Sequence, residues 1–334
     1  MGNLSYVLKR LTDMNYKAMW EKVQSLHKKT GLSRLYLLRD MRRCALNYGA
    51  GYMDYDLFEM YNLTPEQRDT YLTRGRNNAL IKKNNDLSYA HFFDNKAEFN
   101  TRFAAYIHRK WIRLDDPDTE KVLAFMRDQG TFIAKPLEGC CGRGVEKIDL
   151  QKDYGGSAEK AYAALTALGT GFELEELIRQ HPAVSAIYPN AVNTVRTVTI
   201  FKDGVAHVIC TYFRIGNGGR SVDNFNSGGM VAPVDEKTGI VSDRAIDKQK
   251  NLYAVHPATG TPIQGFQFPD WDKAMDMVKK AAAEIPQMGY LGWDVAFSVD
   301  GPLLVEGNNF PGHDIYQLPE HTPNKIGMMP KFNV

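Results

Sequence analysis

The amino-acid sequence predicts an α+β protein that begins with a mainly helical region, and three observations lead to this prediction. In residues 1–93, apolar side chains recur at the spacing of a helix, as in Leu4, Val7, Leu8 and Leu11. From residue 94 onward, short apolar runs alternate with helical patterns, and glycines separate them. The last third of the chain is rich in β-branched and aromatic runs, which are typical of strands.

The length and the composition are those of an ordered protein with more than one domain. The 334 residues suit two or three domains, and an apolar content of 43% is enough for real hydrophobic cores. The net charge of +2 gives no reason to expect a nucleic-acid partner. No apolar run is long enough for a transmembrane segment, the first residues lack a signal-peptide pattern, and four cysteines are too few for a disulfide scaffold. We therefore expect a cytoplasmic protein.

Capping residues and β-branched runs predict the first elements in order. Thr64-Pro65 predicts a helix start, because Thr is a good N-cap and Pro is favoured at the first helical position. A helix is expected over residues 121–130, a strand over 131–135 and a second strand over 145–150. Ser157 predicts the start of another helix.

The last third of the chain predicts two hairpins and a helix. Residues 194–201 and 205–214 form the first hairpin, with a turn at Lys202-Asp203-Gly204. Residues 270–285 form an amphipathic helix that ends before Pro286. Residues 291–299 and 303–308 form the second hairpin.

A glycine-rich loop between the strands at 131–135 and 145–150 is the first candidate site. Lys135 leaves the first strand, and glycines in the loop would let backbone N–H groups approach phosphate oxygens. A tight hairpin with an incidental lysine is the alternative. The adjacent Cys140 and Cys141 lack a further ligand at metal spacing, so we interpret them as small loop residues. The candidate phosphate-binding residues are Lys135, Glu138, Gly139, Cys140, Cys141, Gly142 and Gly144.

The second hairpin carries a candidate metal site. Asp294, Glu306 and Asn308 offer only oxygen donors, which suit Mg²⁺. A two-residue turn at Asp300-Gly301 would place the two carboxylates on opposite faces of the hairpin. A three-residue connection over 299–301, with Gly301 left-handed, would place them opposite each other. A solvated polar face is the alternative, but two facing carboxylates repel each other without a cation.

Taken together, these motifs resemble the ATP-grasp superfamily. The glycine-rich loop is similar to the superfamily's phosphate loop, and the segment at 94–96 resembles its element that supplies a second nucleotide-binding lysine, here Lys96. Asp294, Glu306 and Asn308 match its metal ligands, and residues 308–312 repeat its Asn-x-x-Pro-Gly ending. The residues that resemble its adenine-binding hinge are Glu175, Glu176, Leu177 and Ile178.

Within the superfamily, the chain resembles the glutamate-ligase-like branch and, most closely, the sugar-transfer-associated ATP-grasp group. Arg196, Arg214 and Asn224, followed by two glycines, are similar to the Arg…Arg…Asn…Gly-Gly series of that branch. D-alanine–D-alanine ligases carry an arginine where this chain has Gly292, which argues against their substrate class. The N-terminal 93 residues lack the strand-rich domain that usually precedes an ATP-grasp fold.

The resemblance implies a fold, cofactors and an activity. Two α+β lobes, residues 94–175 and 176–334, would hold ATP and Mg²⁺ between them. The implied reaction joins a carboxylate to an amine through an acylphosphate, on small-molecule or glycan-linked substrates and in cell-surface polysaccharide biosynthesis. Arg196 and Arg214 would steady the phosphoryl group or the substrate carboxylate, while Asn224, Gly312 and His313 would lie near the substrate. A kinase that phosphorylates a hydroxyl on a small molecule or sugar is the alternative, because it needs the same γ-phosphate geometry.

Overall fold

The structure, a computed structural model, describes residues 15–139, 144–168, 171–218, 223, 225 and 228–334. These residues form two compact units. The first contains the described residues up to Leu80 together with Gly312–Asn333, and the second contains Ile81–Pro311 and Val334. The structure thus groups residues 312–333 with the N-terminal helices, whereas the sequence-based division placed them in the region 176–334.

The described part of the first unit is helical, as the sequence predicts, whereas the helical spacing of Leu4, Val7, Leu8 and Leu11 lies outside the described residues. Thr64 caps the helix that begins at Pro65, and its hydroxyl accepts from the backbone N–H of Gln67 at 3.3 Å. The unit's core is formed by apolar side chains such as Leu37, Tyr55 and Phe58. The helices up to the boundary of the unit are α1 (Tyr16–Thr30), α2 (Arg34–Tyr48), α3 (Tyr52–Leu57), α4 (Pro65–Asp69) and α5 (Arg74–Asn84).

The second unit begins with three short helices and then contains two antiparallel sheets. No strand precedes Trp111 in the part of the chain that the structure describes, which agrees with the predicted helical start. No helix within these described ranges is both long and apolar enough to cross a membrane. The helices of this unit are α6 (His91–Asp94), α7 (Lys96–Arg102), α8 (Ala104–Ile107), α9 (Thr119–Gln129), α10 (Leu150–Tyr154), α11 (Ala158–Thr166), α12 (Pro182–Ser185) and α13 (Trp271–Ala283).

The smaller sheet has four strands in the order β1-β4-β2-β3. Ser157 caps α11, as predicted, by accepting from the N–H of Lys160 at 3.2 Å. Side chains from α9 and α11 form a core with one face of this sheet, for example Met126, Leu165 and Leu174. The strands are β1 (Trp111–Arg113), β2 (Thr131–Pro136), β3 (Glu146–Asp149) and β4 (Phe172–Glu176).

The larger sheet has seven strands in the order β11-β10-β5-β6-β7-β8-β9. The predicted first hairpin is present, and Asp203 and Gly204 both have positive φ in its two-residue turn. Helix α13 packs on one face of this sheet, where Trp293, Val295 and Phe213 are fully buried. The strands are β5 (Thr194–Lys202), β6 (Val205–Ile215), β7 (Met230–Val234), β8 (Ala245–Ile246), β9 (Leu252–Tyr253), β10 (Tyr290–Ser298) and β11 (Gly301–Asn308).

Candidate functional site

Asp294 and Glu306 lie directly opposite each other on β10 and β11. On the other side of β10, Asp294 lies opposite Arg196 of β5. In antiparallel strands, opposite residues point to the same face of the sheet. The predicted juxtaposition of the two carboxylates is therefore present, on the face opposite to the α13 core.

The turn of this hairpin differs from the prediction, although the juxtaposition holds. Ser298 pairs with Gly301, so Val299 and Asp300 form a two-residue turn and not the expected three-residue connection. Gly301 does have a positive φ, 113°. The register then shifts between Asp294 and Val295, which leaves Val305 as a bulge residue. One extra residue in a strand inverts the faces of all residues beyond it. The two-residue turn alone would place Asp294 and Glu306 on opposite faces, and the bulge at Val305 returns them to the same face.

Because of the same bulge, the side chains of β11 do not alternate between the two faces as a strict period-two pattern predicts. The sequence places Leu304 and Glu306 on one face, since they are two residues apart. In the structure Leu304 pairs with Val295 and is buried in the core, whereas Glu306 pairs with Asp294 on the other face. The extra residue between them is the physical reason for this difference.

Arg196 and Arg214 both engage the carboxylate of Asp294. The Nε of Arg196 donates to Oδ1, and its Nη2 donates to Oδ2 at 3.0 Å. The Nη1 of Arg214 donates to Oδ2 at 2.6 Å. Burial opposes the ionisation of Asp294, but the two guanidinium groups hold its pKa well below the usual range. Both arginines thus lie on the same face of the larger sheet as Asp294 and Glu306, which we call the site face.

A bulge in β6 determines which face of the larger sheet Arg214 occupies. Strict alternation places Val208 and Arg214 on the same face. The register shifts so that Cys210 lies opposite Val198 and Val208 opposite Thr199, which leaves Ile209 as the extra residue. Val208 consequently packs against the core, and Arg214 points to the site face.

Glu306 is the carboxylate of this cluster that no arginine neutralises directly. Burial and the neighbouring Asp294 raise the pKa of Glu306. Asn308 shares its face, and the side-chain Nδ2 of Asn308 is buried without a hydrogen-bond partner among the described residues. Asp223 completes the cluster: it contacts Arg214 at 3.3 Å, and burial raises its pKa.

A second charged cluster lies on β2 and β4 of the smaller sheet. Both Lys135 and Arg109 donate to the buried carboxylate of Glu175, at 2.5 Å and 2.7 Å. Asn100 links Glu175 to the neighbouring Glu173, with donor distances of 3.3 Å and 3.0 Å. Burial opposes the ionisation of Glu175, but Arg109 and Lys135 hold its pKa well below the usual range. Burial and the nearby Glu175 raise the pKa of Glu173 to about 8.

Lys96 lies between the two clusters. Its backbone N–H donates to the carbonyl of Leu137 at 3.0 Å, and its Nζ donates to the carbonyl of Gly139 at 3.4 Å. Burial lowers the pKa of Lys96, whereas the negative charges of Glu306 and Glu173 oppose this effect. Lys96 is thus within electrostatic reach of acidic side chains on both sheets.

The structure describes only the two ends of the predicted phosphate loop. Glu138 forms a β-bridge with Asn95, and Gly139 and Gly144 both have positive φ. Glycine suits these two positions, because other residues rarely adopt such φ values. Cys140, Cys141 and Gly142 lie outside the described residues, as does Asn224.

The predicted hinge begins inside a strand. Glu175 lies opposite Trp111 and Ile133, and the backbone N–H of Glu176 donates to the carbonyl of Lys110 at 2.9 Å. Strand β4 ends at Glu176, so Leu177 and Ile178 lie just beyond the ladder. The side chain of Glu175 is directed into the charged cluster with Lys135.

Gly312 and His313 belong to the first unit. The Nε2 of His313 lies 2.9 Å from Oδ1 of Asp54, and its ring makes an edge contact with Phe58 at 6.2 Å. His313 is buried. These contacts give His313 a structural environment, and its expected role near the substrate stays a prediction.

Sequence reasoning missed four charged or polar residues of the two clusters. Glu173 could have been found, because its two-residue spacing from Glu175 places both on one face of a strand. Asp223 directly precedes Asn224, which the resemblance singled out, but it received no role. Nothing in the local sequence marks Asn100 or Arg109, which reach Glu175 through the tertiary fold.

A family model described as sugar-transfer associated ATP-grasp matches residues 75–325. No curated protein matches the sequence. Among solved structures, D-alanyl-alanine synthetase A from Vibrio cholerae is 12% identical, covers 72% of this chain and 58% of its own, and has a TM-score of 0.42. An L-amino acid ligase from Bacillus licheniformis is 14% identical, and the match covers 68% of this chain and 45% of the ligase, with a TM-score of 0.39.

A third structure is N5-carboxyaminoimidazole synthetase from Staphylococcus aureus complexed with ADP. It is 9% identical, with coverages of 71% and 52% and a TM-score of 0.41. The chain therefore spans less than two thirds of the length of each of these proteins. The family match confirms the predicted superfamily and fold. The chain belongs to the sugar-transfer-associated ATP-grasp family.

Proposed function

We propose that this protein is an ATP- and Mg²⁺-dependent ligase that joins a carboxylate to an amine through an acylphosphate. The observation that carries the proposal is the cluster on one face of the larger sheet. There Asp294 and Glu306 lie opposite each other on neighbouring strands. Arg196 and Arg214 both form ion pairs with the carboxylate of Asp294. Carboxylates that bind a cation and guanidinium groups that bind phosphoryl oxygens are the two charge types that phosphoryl transfer requires.

The residues of this cluster fit a divalent cation. Among the described residues, no group of three His, Cys, Asp or Glu side chains is arranged to hold a metal, so the proposed set depends on the amide of Asn308 as its third donor. Two buried, adjacent carboxylates favour a bound cation, as the raised pKa of Glu306 indicates. The Nδ2 of Asn308, which has no partner among the described residues, is a donor and would suit a phosphate oxygen, whereas the Oδ1 of the same amide would be the cation ligand. Asp294, Glu306 and Asn308 would hold Mg²⁺, which would neutralise phosphate charge when bound.

The cluster on the smaller sheet supports a nucleotide-binding role for Lys135 and Lys96. Glu175 orients the ammonium group of Lys135 at 2.5 Å, and burial leaves Lys96 poorly solvated. A desolvated ammonium group binds phosphate oxygens strongly, because it gives up little hydration. The glycine-rich loop at 138–144 would cover the phosphates, and Glu175, Glu176, Leu177 and Ile178 would border the adenine, with Leu177 and Ile178 beyond the strand ladder.

In the proposed reaction a substrate carboxylate attacks the γ-phosphorus of ATP and releases ADP, and an amine then displaces phosphate from the acylphosphate. Arg196 and Arg214 would hold the transferring phosphoryl group or the substrate carboxylate, and Asn224 would contribute to substrate binding. A Cβ at Gly292 would lie 3.2 Å from the Cβ of Pro311 and 3.4 Å from the Cδ of Arg196, so an arginine there would require these neighbours to shift. This supports a substrate other than D-alanine. The family description supports a role in cell-surface polysaccharide assembly.

The test is a trapping assay with a matched pair of variants. The protein is incubated with ATP, Mg²⁺, hydroxylamine and a panel of small carboxylates, and ADP and hydroxamate are both measured. Hydroxamate formation is expected, because hydroxylamine captures an acylphosphate. Glu306→Gln should lower turnover by about a hundredfold or more, since it removes a cation-binding charge and keeps the side-chain shape. Asp300→Asn, an exposed carboxylate on the same hairpin, serves as the control and should retain activity.

Three results would contradict the proposal. Equal turnover of Glu306→Gln and the wild type would exclude the metal site. Formation of a stable phosphoester without hydroxamate would replace the ligase by the alternative kinase. An affinity for ADP that is the same with and without Mg²⁺, as measured by calorimetry, would show that the proposed cation takes no part in nucleotide binding.

A further inference from the structure

One face of helix α2 in the helical unit is strongly basic and is exposed together with large apolar side chains. The buried stripe of α2 contains Leu37, Met41, Cys44 and Tyr48, which repeat every three or four residues. The stripe on the other side, offset by two residues, follows the same spacing. It consists of Leu35, Arg39, Arg42 and Leu46, and Tyr36 and Arg43 lie beside it. We call these six residues the α2 patch.

The arginines of the α2 patch form no ion pair with any residue that the structure describes. Arg39, Arg42 and Arg43 are exposed, and no ion pair or hydrogen bond links any of them to another described residue. Asp40 is the only acidic residue between positions 33 and 49. Its carboxylate is buried and is already bound by Arg68, at 2.8 Å and 2.7 Å. The patch therefore presents three uncompensated positive charges.

The apolar members of the α2 patch are unusually open for large side chains. Leu35 is 58% exposed, Leu46 is 62% exposed, and Tyr36 is 44% exposed. A single exposed leucine needs no explanation, but here two of them flank the arginines on one stripe. Surfaces that bind nucleic acid are mainly polar and basic, so the leucines are not accounted for by that kind of partner.

We propose that the α2 patch binds the surface of an anionic phospholipid bilayer. The arginines would contact lipid phosphates in the headgroup layer, and Leu35, Tyr36 and Leu46 would enter the boundary between headgroups and acyl chains. The long arginine side chains can keep their guanidinium groups at the polar level while their stems lie along apolar surface. The patch belongs to one helix of the first unit, so the proposal does not depend on the proposed ligase activity.

The test is co-sedimentation of the full chain with lipid vesicles. The chain should bind vesicles of equimolar phosphatidylcholine and phosphatidylglycerol, bind vesicles of phosphatidylcholine alone far less, and be released as the salt concentration rises. Each arginine near an anionic surface changes the partition about fivefold, so Arg39→Gln/Arg42→Gln/Arg43→Gln should lower binding about a hundredfold. Leu35→Ser/Leu46→Ser should also weaken it. Lys248→Gln/Lys279→Gln/Lys280→Gln removes three exposed charges from the second unit and should bind like the wild type.

The two patch variants keep the proposal testable even if one of them does not fold, and circular dichroism establishes folding for each. Binding that is equal for neutral and anionic vesicles, or unchanged in both folded patch variants, would overturn the proposal. Displacement of the chain from vesicles by duplex DNA would also overturn the proposal, if the arginine variant binds DNA more weakly than the wild type and the leucine variant does not. That result would assign the patch to nucleic acid.

Discussion

Replacing Glu175 by glutamine tests the charged cluster of the smaller sheet. The carboxylate of Glu175 is 3% exposed and accepts from Arg109 at 2.7 Å and from Lys135 at 2.5 Å. The side chain of Arg109 is 2% exposed, so its guanidinium group cannot reach water when this partner is neutralised. Glutamine keeps the size and one acceptor oxygen but removes the charge. The variant therefore removes the charge together with one acceptor oxygen, at nearly constant side-chain size.

The expected loss of stability follows from the partners that remain. Breaking a buried ion pair by removing one charge costs about 3–5 kcal/mol, because the other charge stays buried and unpaired. Glu173, linked to Glu175 through Asn100, offers partial compensation. The charge of Glu175 helps to raise the pKa of Glu173, so Glu173 should ionise more readily in the variant and serve as the counter-ion. We therefore expect about 3 kcal/mol for Glu175→Gln, and a loss for Glu173→Gln/Glu175→Gln that exceeds the sum of the single variants.

Urea unfolding followed by tryptophan fluorescence measures this loss, because Trp111 lies opposite Glu175 on β1. Glu176→Gln is the matched control: its carboxylate is adjacent, lies near the surface and accepts only from the backbone N–H of Lys110 at 3.0 Å. The control should change stability by less than about 1 kcal/mol. A loss for Glu175→Gln no larger than that of the control, or additive effects in the double variant, would refute the reasoning.

Two further predictions concern stability. Glu173→Gln should flatten the pH dependence of the free energy of unfolding. The pKa of Glu173 in the folded wild type is about 8, above the ordinary value of 4.5, so between these pH values the folded protein holds a proton that the unfolded chain has released. The stability of the wild type should therefore fall as pH rises from about 4.5 to 8, by up to about 1.4 kcal/mol per pH unit. Parallel pH profiles of urea unfolding for variant and wild type would contradict this. Gly307→Ala should destabilise the second unit by about 1–3 kcal/mol, because a Cβ there would lie 2.8 Å from ring carbons of Phe93 and Phe99. Phe93→Leu in the same chain should restore part of the melting temperature, and an unchanged melting temperature in Gly307→Ala would show that the rings move aside freely.

Local signals in the sequence were sufficient to predict several of the elements. Thr64 and Ser157 begin helices because their hydroxyls satisfy backbone N–H groups a few residues away, and this depends on nearby residues only. The turn at Asp203-Gly204 follows for the same reason, since both residues tolerate positive φ. The order of the motifs was also sufficient to identify the superfamily, which the family match confirms.

The sequence by itself therefore determined the α+β class and the helical start, while the opposition of Asp294 to Glu306 was one of two registers that it left open. Only the tertiary structure decided how this opposition arises, because the bulges at Val305 and Ile209 are set by pairing with neighbouring strands and leave no mark in a period-two pattern. It also decided that Arg109 and Asn100 meet Glu175, since these residues are 66 and 75 positions away along the chain. Local periodicity reports which side chains share a face of one element. Charged clusters built from several elements depend on how those elements pack, so they become visible only in the folded chain.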